Sequence, residues 1–105
     1  MKTNKFFFFG FGQTAKYFVK NLIKSDKKFT FNATNTKKTK QKIFLRKKFM
    51  TFRFSDYSYD KKLISSLMKS DYILVSIPPQ KKKDLVLKNF HNILKKSNFK
   101  KLIYL

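Results

Sequence analysis

The sequence predicts an α/β fold, a doubly wound parallel sheet of five strands in the order 3-2-1-4-5 with helices on both faces. Two observations lead to this fold class. Short apolar runs alternate with helical patterns along the chain, and strands that are joined through helices pair in parallel by right-handed crossovers. The 105 residues suffice for one domain with a modest core. We therefore predict a single domain over residues 1–105.

The amino-terminal half gives the clearest elements. Residues 5–9 predict the first strand, and their continuous run of phenylalanines after Lys5 is typical of a strand buried on both faces. Apolar residues at helical spacing predict a helix over residues 13–24, and they are Ala15, Phe18, Val19, Leu22 and Ile23. A second strand is predicted over residues 29–32. After a polar loop, Ile43 and Phe44 predict a weaker, basic helix over residues 39–47.

The carboxyl-terminal half repeats this alternation. A third strand is predicted over residues 49–54, a short helix around residues 63–68, and a buried fourth strand over residues 72–77. A proline pair ends the fourth strand, because proline cannot donate a hydrogen bond to a neighbouring strand. A helix over residues 82–96 and a fifth strand over residues 102–105 complete the pattern.

A glycine turn follows the first strand and opens the first helix. Its residues match the pattern G-x-G-x-x-A, which binds the pyrophosphate of a dinucleotide. Gly10 allows the tight turn, Gly12 lets the backbone approach the pyrophosphate, and Ala15 keeps the helix close to the sheet. Backbone N–H groups near Gln13 and Thr14 face the phosphates at the positive end of the helix dipole. The turn therefore predicts dinucleotide binding, with a plain strand-to-helix turn as the alternative.

The residues after the second strand indicate which dinucleotide is bound. An NAD enzyme usually carries Asp or Glu there to hold the ribose hydroxyls. This chain has no acidic residue at that place and has Lys37 and Lys38 close behind it. Because ammonium groups attract a 2′-phosphate, the sequence favours NADP, with NAD as the second choice. The alternative is that both lysines are simply solvated.

Three segments carry a resemblance to a known family. They are GFGQTAKYFVKNL from Gly10, the polar stretch at residues 33–38, and DYILVSIPP at residues 71–79. Together they resemble the extended short-chain dehydrogenase/reductase superfamily, in its atypical branch of nucleoside-diphosphate-sugar epimerase-like proteins. The resemblance implies a Rossmann fold, an NAD(P) cofactor and hydride transfer at a hydroxyl or carbonyl centre. Classical members show G-x-x-G-x-x-G where this chain has G-x-G-x-x-A.

The resemblance also implies a set of cofactor-binding residues. Those at the pyrophosphate are Gly10, Gly12, Gln13 and Thr14. Those at the adenosine ribose are Asn35, Thr36 and Lys37. The adenine would lie near Asp56, and the fourth strand would line the cofactor with Ser76, Ile77 and Pro78.

The family's catalytic Tyr-x-x-x-Lys pair lies beyond the fifth strand, where the tyrosine acts as acid and base. Because this chain ends within that strand, we expect the amino-terminal, cofactor-binding part of a longer protein. We predict no catalytic residue and no metal site in it, and a small-molecule substrate only for the full-length protein.

The net charge of +21 at pH 7 raises the question of nucleic acid as a partner. Lysine dominates and arginine is scarce, whereas nucleic-acid binders usually rely on arginine for bidentate contacts. The sequence thus argues against nucleic acid, and codon bias accounts for much of the lysine. Two alternatives stay open, a basic nucleic-acid-binding module and an interaction domain that has lost its cofactor. With no signal peptide pattern and no apolar stretch of membrane length, we expect a cytoplasmic protein.

Overall fold

The structure, a computed structural model, describes residues 3–25, 28–55, 58–75 and 101–104. In these ranges the chain forms the strands β1 (Asn4–Phe9), β2 (Phe29–Asn35), β3 (Lys40–Phe44), β4 (Lys47–Arg53), β5 (Tyr72–Val75) and β6 (Lys101–Tyr104), and the helices α1 (Gln13–Lys24) and α2 (Lys62–Met68). The strands form one sheet in the order β3-β4-β2-β1-β5-β6. All neighbours pair in parallel except β3 and β4, which are antiparallel.

The predicted fold class is wrong. A parallel sheet of five strands in the order 3-2-1-4-5, with helices on both faces, is not what the chain forms. The described residues form a mixed sheet of six strands with two helices, and neither the connection from β2 to β3 nor that from β3 to β4 contains a helix. The segment responsible is residues 39–47, for which the sequence predicts a helix. There the chain forms β3 and a hairpin turn into β4 instead.

The hairpin has a physical cause in its turn and in its packing. Leu45 and Arg46 both take positive φ, at 50° and 68°, so they form a two-residue turn of the kind whose twist matches that of the flanking strands. Phe44 then lies next to Phe11, with their ring centroids 5.5 Å apart. At the start of β4, Lys47 lies over the ring of Phe29 in β2, with Nζ 4.2 Å from the ring centroid. These contacts outweigh the weak helical pattern of the segment.

The other elements agree better with the sequence. The helix predicted over residues 13–24 is α1, with the same ends. The predicted strands at residues 29–32 and 49–54 are present as β2 and β4 with shifted ends, and the short helix around residues 63–68 is α2. The helix predicted over residues 82–96 lies outside the described residues. The described helices include none that is both long and apolar enough to span a membrane.

The core lies on both faces of β1, the strand between β2 and β5. Because successive side chains of a strand point to opposite faces, Phe7 and Phe9 join the cluster beneath α2, whereas Phe6 and Phe8 join the one beneath α1. All four are at most 7% exposed. Full burial of one such side chain contributes about 1.5–3 kcal/mol, so this strand provides a large share of the stability of the fold.

The two turn residues allow a test of the hairpin. Replacing them by the usual pair, Leu45→Asn with Arg46→Gly, should raise the free energy of unfolding by about 1 kcal/mol, since asparagine and glycine accept positive φ more readily than leucine and arginine. Urea denaturation followed by circular dichroism measures the change.

If residues 39–47 formed a helix, the same double variant would have a lower free energy of unfolding than the wild type. Glycine within a helix costs about 1 kcal/mol relative to alanine, so a loss of stability in the double variant would contradict the hairpin. Lys20→Gly, at an exposed position within α1, is the matched control and should lower the free energy of unfolding by about that amount.

Candidate functional site

A pocket of about 560 Å³ lies where β1 and β2 end. This volume falls within the range of small-molecule sites. One side is formed by the loop after β1, a second by the end of β2 with the loop that follows it, and a third by the β3–β4 hairpin. The lining residues are Gly10, Phe11, Gly12, Lys16, Thr34, Asn35, Thr36, Lys42, Ile43, Phe44, Phe49, Thr51 and Phe54. The carboxyl ends of neighbouring parallel strands are a usual place for ligands in such sheets.

Gly10 joins the end of β1 to the end of β2. Its φ is 89°, in a region that residues with a side chain rarely adopt. In this conformation its N–H donates a hydrogen bond of 2.8 Å to Oγ1 of Thr34, which is 3% exposed. Glycine at this position is therefore required by the turn itself.

Gly12 has no such requirement. Its φ of −97° and ψ of −156° are accessible to other residues, and a Cβ placed on it would meet nothing within 4 Å. It caps the start of α1 without a side-chain hydrogen bond, and its carbonyl accepts the N–H of Lys16 at 3.0 Å. The fold alone would accept alanine here. The space at the Cβ position of Gly12 is open among the described residues.

The first turn of α1 carries no acidic residue, so nothing there opposes an anion. Gln13 and Thr14 are exposed, and Ala15 is fully buried against the sheet in the cluster of Phe8 and Leu74. The small side chain of Ala15 lets α1 lie close to β1, as the G-x-G-x-x-A pattern predicts. The first turn of α1 begins directly after Gly12.

Asn35 organises the loop after β2 with its side chain. Its Oδ1 accepts the N–H of Lys37 at 2.7 Å and that of Lys38 at 3.0 Å. Its Nδ2 donates to the carbonyl of Lys38 and to Oγ1 of Thr51, both at 2.8 Å. Asparagine stabilises turns in this way. The amide is thus used within the protein, and it fixes the backbone of the loop at both lysines.

A basic pocket of about 480 Å³ adjoins the first one and shares Asn35, Thr36 and Lys42 with it. Its other lining residues are Lys37, Lys38 and Lys40. Four ammonium groups and no carboxylate line this basic pocket, so its electrostatic potential favours an anion.

The hairpin gives the first pocket an apolar wall that the sequence did not predict. The ring of Phe11 lies 5.0 Å from that of Phe49 and 5.5 Å from that of Phe44, measured between centroids. Ile43, on the same hairpin, is 65% exposed. The signal for this wall was the pair Ile43 and Phe44, which we interpreted as part of a helix. Together with the basic pocket, the wall suits a ligand that has both a ring and a phosphate.

The structure brings together some of the predicted site residues. Those around the first pocket are Gly10, Gly12, Asn35 and Thr36, while Lys37 lines the adjoining basic pocket. Gln13, Thr14 and Ala15 begin α1 beside the first pocket. Asp56, Ser76, Ile77 and Pro78 lie outside the described residues. Within the described ranges, no three His, Cys, Asp or Glu side chains come together as a metal site would require.

Asp60 holds the start of β3 to the segment before α2. Its Oδ2 accepts the hydroxyl of Thr39, and its Oδ1 accepts the N–H of Lys62 at 2.9 Å. The Thr39 hydroxyl in turn accepts the N–H of Arg53 at 3.0 Å. These hydrogen bonds, that of Thr39 first, lower the pKa of Asp60 below its ordinary value. The hairpin wall is thereby fixed relative to α2.

Comparisons with known proteins add no assignment to this geometry. No family model matches the sequence, and neither a curated protein nor a solved structure matches it significantly.

The link between Thr39 and Asp60 predicts a pH effect. Because the pKa of Asp60 is lowered in the folded protein, its contribution to stability is complete above the ordinary pKa of an aspartate and is lost as the pH falls through the folded value. Thr39→Val, which removes the hydroxyl, should move the pKa of Asp60 back towards its ordinary value. Carboxyl NMR titration measures the pKa of both proteins.

The control is Ser25→Ala, because the Ser25 hydroxyl donates to the carbonyl of Leu22 and not to Asp60. This variant should leave the pKa of Asp60 unchanged. Equal pKa values for Asp60 in wild type and Thr39→Val would contradict the assigned cause.

Proposed function

We propose that this chain binds a dinucleotide cofactor at the Gly10–Gly12 turn, with NADP preferred to NAD. The observation that carries the proposal is Gly12. The fold leaves open space where its Cβ would be, and Gly12 directly precedes the first turn of α1. A backbone that must approach a pyrophosphate closely has a physical reason to keep glycine at such a position.

The charges around the turn support the same ligand. Lys16 lines the first pocket, and the basic pocket adds Lys37 and Lys38 from the loop after β2. The site gives a dinucleotide ammonium groups for its phosphates and an apolar wall for its rings. The cluster of lysines after β2, with no carboxylate in the lining, favours a 2′-phosphate over free ribose hydroxyls.

The proposal includes a relationship to the atypical branch of the extended short-chain dehydrogenase/reductase superfamily, which rests on the quoted segments alone. In that case the cofactor would supply hydride transfer to or from a small-molecule substrate. We assign the described residues to cofactor binding and none of them to catalysis. A cytoplasmic location belongs to the same proposal, and fractionation of cells would test it.

Gly12→Ala provides the direct test. The ligand-free protein should keep its fold, because the added Cβ meets no atom within 4 Å. Affinity for NADPH should fall about tenfold or more, which corresponds to about 1.4 kcal/mol, because the methyl group occupies the space reserved for the pyrophosphate. NADPH fluorescence measures binding, and circular dichroism verifies the fold.

The matched control for this test is Lys20→Gln, an exposed change on α1 away from the pocket. It should bind NADPH like the wild type. A Gly12→Ala protein that binds NADPH as tightly as the wild type, or a wild type with no saturable binding at low and moderate salt, would overturn the proposal.

Lys37→Gln combined with Lys38→Gln tests the preference for NADP. The double variant should bind NADPH about tenfold less tightly while its affinity for NADH changes little, since only NADPH carries the 2′-phosphate. Lys20→Gln with Lys101→Gln removes the same charge at exposed positions elsewhere. If both double variants weaken both cofactors equally, the attraction is a general effect of net charge and the assignment to Lys37 and Lys38 is wrong.

A further inference from the structure

A separate pocket lies on the α2 side of the sheet, near the amino-terminal ends of the strands. Its volume is about 390 Å³. Lys5 from β1 and Lys48 from β4 line it on the sheet side, and Lys62 at the start of α2 and Lys69 directly after its end line it from the helix side. We call it the α2 pocket. The first pocket, by contrast, lies at the carboxyl ends of β1 and β2.

The charge in the α2 pocket is of one sign. Four ammonium groups line it, and no Asp or Glu does so. The neighbouring carboxylate of Asp60 attracts the ammonium group of Lys62 electrostatically. The neighbouring carboxylate of Asp71 accepts the backbone N–H of Lys5 at 2.9 Å. Neither carboxylate is part of the lining, so an anion in the pocket would be attracted by the ammonium groups without facing a carboxylate of the lining.

Hydroxyl and amide groups form a fixed floor in the α2 pocket. Asn32 donates from Nδ2 to Oγ of Ser66 at 2.8 Å and accepts the N–H of Met50 at 2.9 Å. Ser70 donates to the carbonyl of Ser66 at 2.8 Å and is 4% exposed. The Ser66 oxygen is thus held by Asn32, while its own proton has no acceptor among the described residues. It can donate to a ligand, as can the exposed hydroxyl of Ser65.

We propose that the α2 pocket binds the phosphate group of a small phosphorylated molecule. Lysine is abundant throughout the chain, so lysines alone do not define a site. What distinguishes this pocket is that lysines from β1, β4 and α2 converge on hydroxyl donors without a carboxylate in the lining. Charge-assisted hydrogen bonds of this kind are the usual means of holding phosphate. The concave shape between helix and sheet favours a small ligand over a nucleic acid, which would need an extended face.

Pyrophosphate is the probe for this site, followed by amide NMR at low salt. We expect saturable shifts at the amides of Ser65, Ser66 and Ser70. Lys48→Gln with Lys69→Gln should weaken the binding that these amides report about tenfold, the effect of losing two charge-assisted contacts. Lys5→Gln is a second, independent variant, which should also weaken pyrophosphate binding. All three lysines are exposed, so their replacement should leave the fold intact.

Two control proteins separate this site from its alternatives. Lys20→Gln with Lys101→Gln removes two exposed charges elsewhere and should change the affinity less than about twofold. Gly12→Ala should leave the serine shifts unchanged, which makes the result independent of the dinucleotide proposal.

Three outcomes would overturn the assignment. In the first, both double-lysine variants weaken binding equally, which indicates general electrostatic attraction. In the second, pyrophosphate shifts only residues 10–16, which assigns it to the glycine turn alone. In the third, single-stranded RNA shifts the three serines while pyrophosphate does not, which makes this surface a nucleic-acid face.

Discussion

Burial of β1 on both faces is the constraint on which the rest of the structure depends. Its four phenylalanines, residues 6–9, belong alternately to the two clusters of the core, so α1 and α2 are held to opposite faces by the same strand. Because β1 pairs with β2 on one side and β5 on the other, it also fixes the register of these two strands. The glycine turn lies at the end of this strand, and its position follows from that burial.

The sequence correctly predicted those helices, strands and turns that depend on residues close to one another in the chain. Three features each depend on a few neighbouring residues: the phenylalanine run after Lys5, the spacing of Ala15 and Val19 along α1, and the glycine turn. The hairpin depends on something else. Leu45 and Arg46 adopt positive φ without the asparagine or glycine that normally signals such a turn, and β3 is held by contacts with Phe11 and Asp60 that are distant in sequence. The predicted fold class was therefore wrong, although most of the predicted helices and strands within the described residues agree with the structure.

The same division applies to the candidate site. Gly10 and Gly12 were identified from their spacing, and the geometry distinguishes them, since Gly10 is required by its positive φ whereas the fold would accept a Cβ at position 12. The apolar wall could not be predicted because the hairpin that provides it was not. The net charge of +21 likewise does not indicate where on the protein an anion would bind. In the structure, lysines converge at the loop after β2 and, on the other side of the sheet, beside α2.

The hairpin also changes how this molecule meets its neighbours in solution. Because β3 replaces a connecting helix, it forms an edge of the sheet, and an exposed edge strand is a template for pairing with another chain. Lys40 and Lys42 on this strand are both exposed. Two copies that approached edge to edge would bring ammonium groups against ammonium groups, which is costly. The lysines that line the basic pocket beside the hairpin therefore also oppose pairing through this edge of the described sheet.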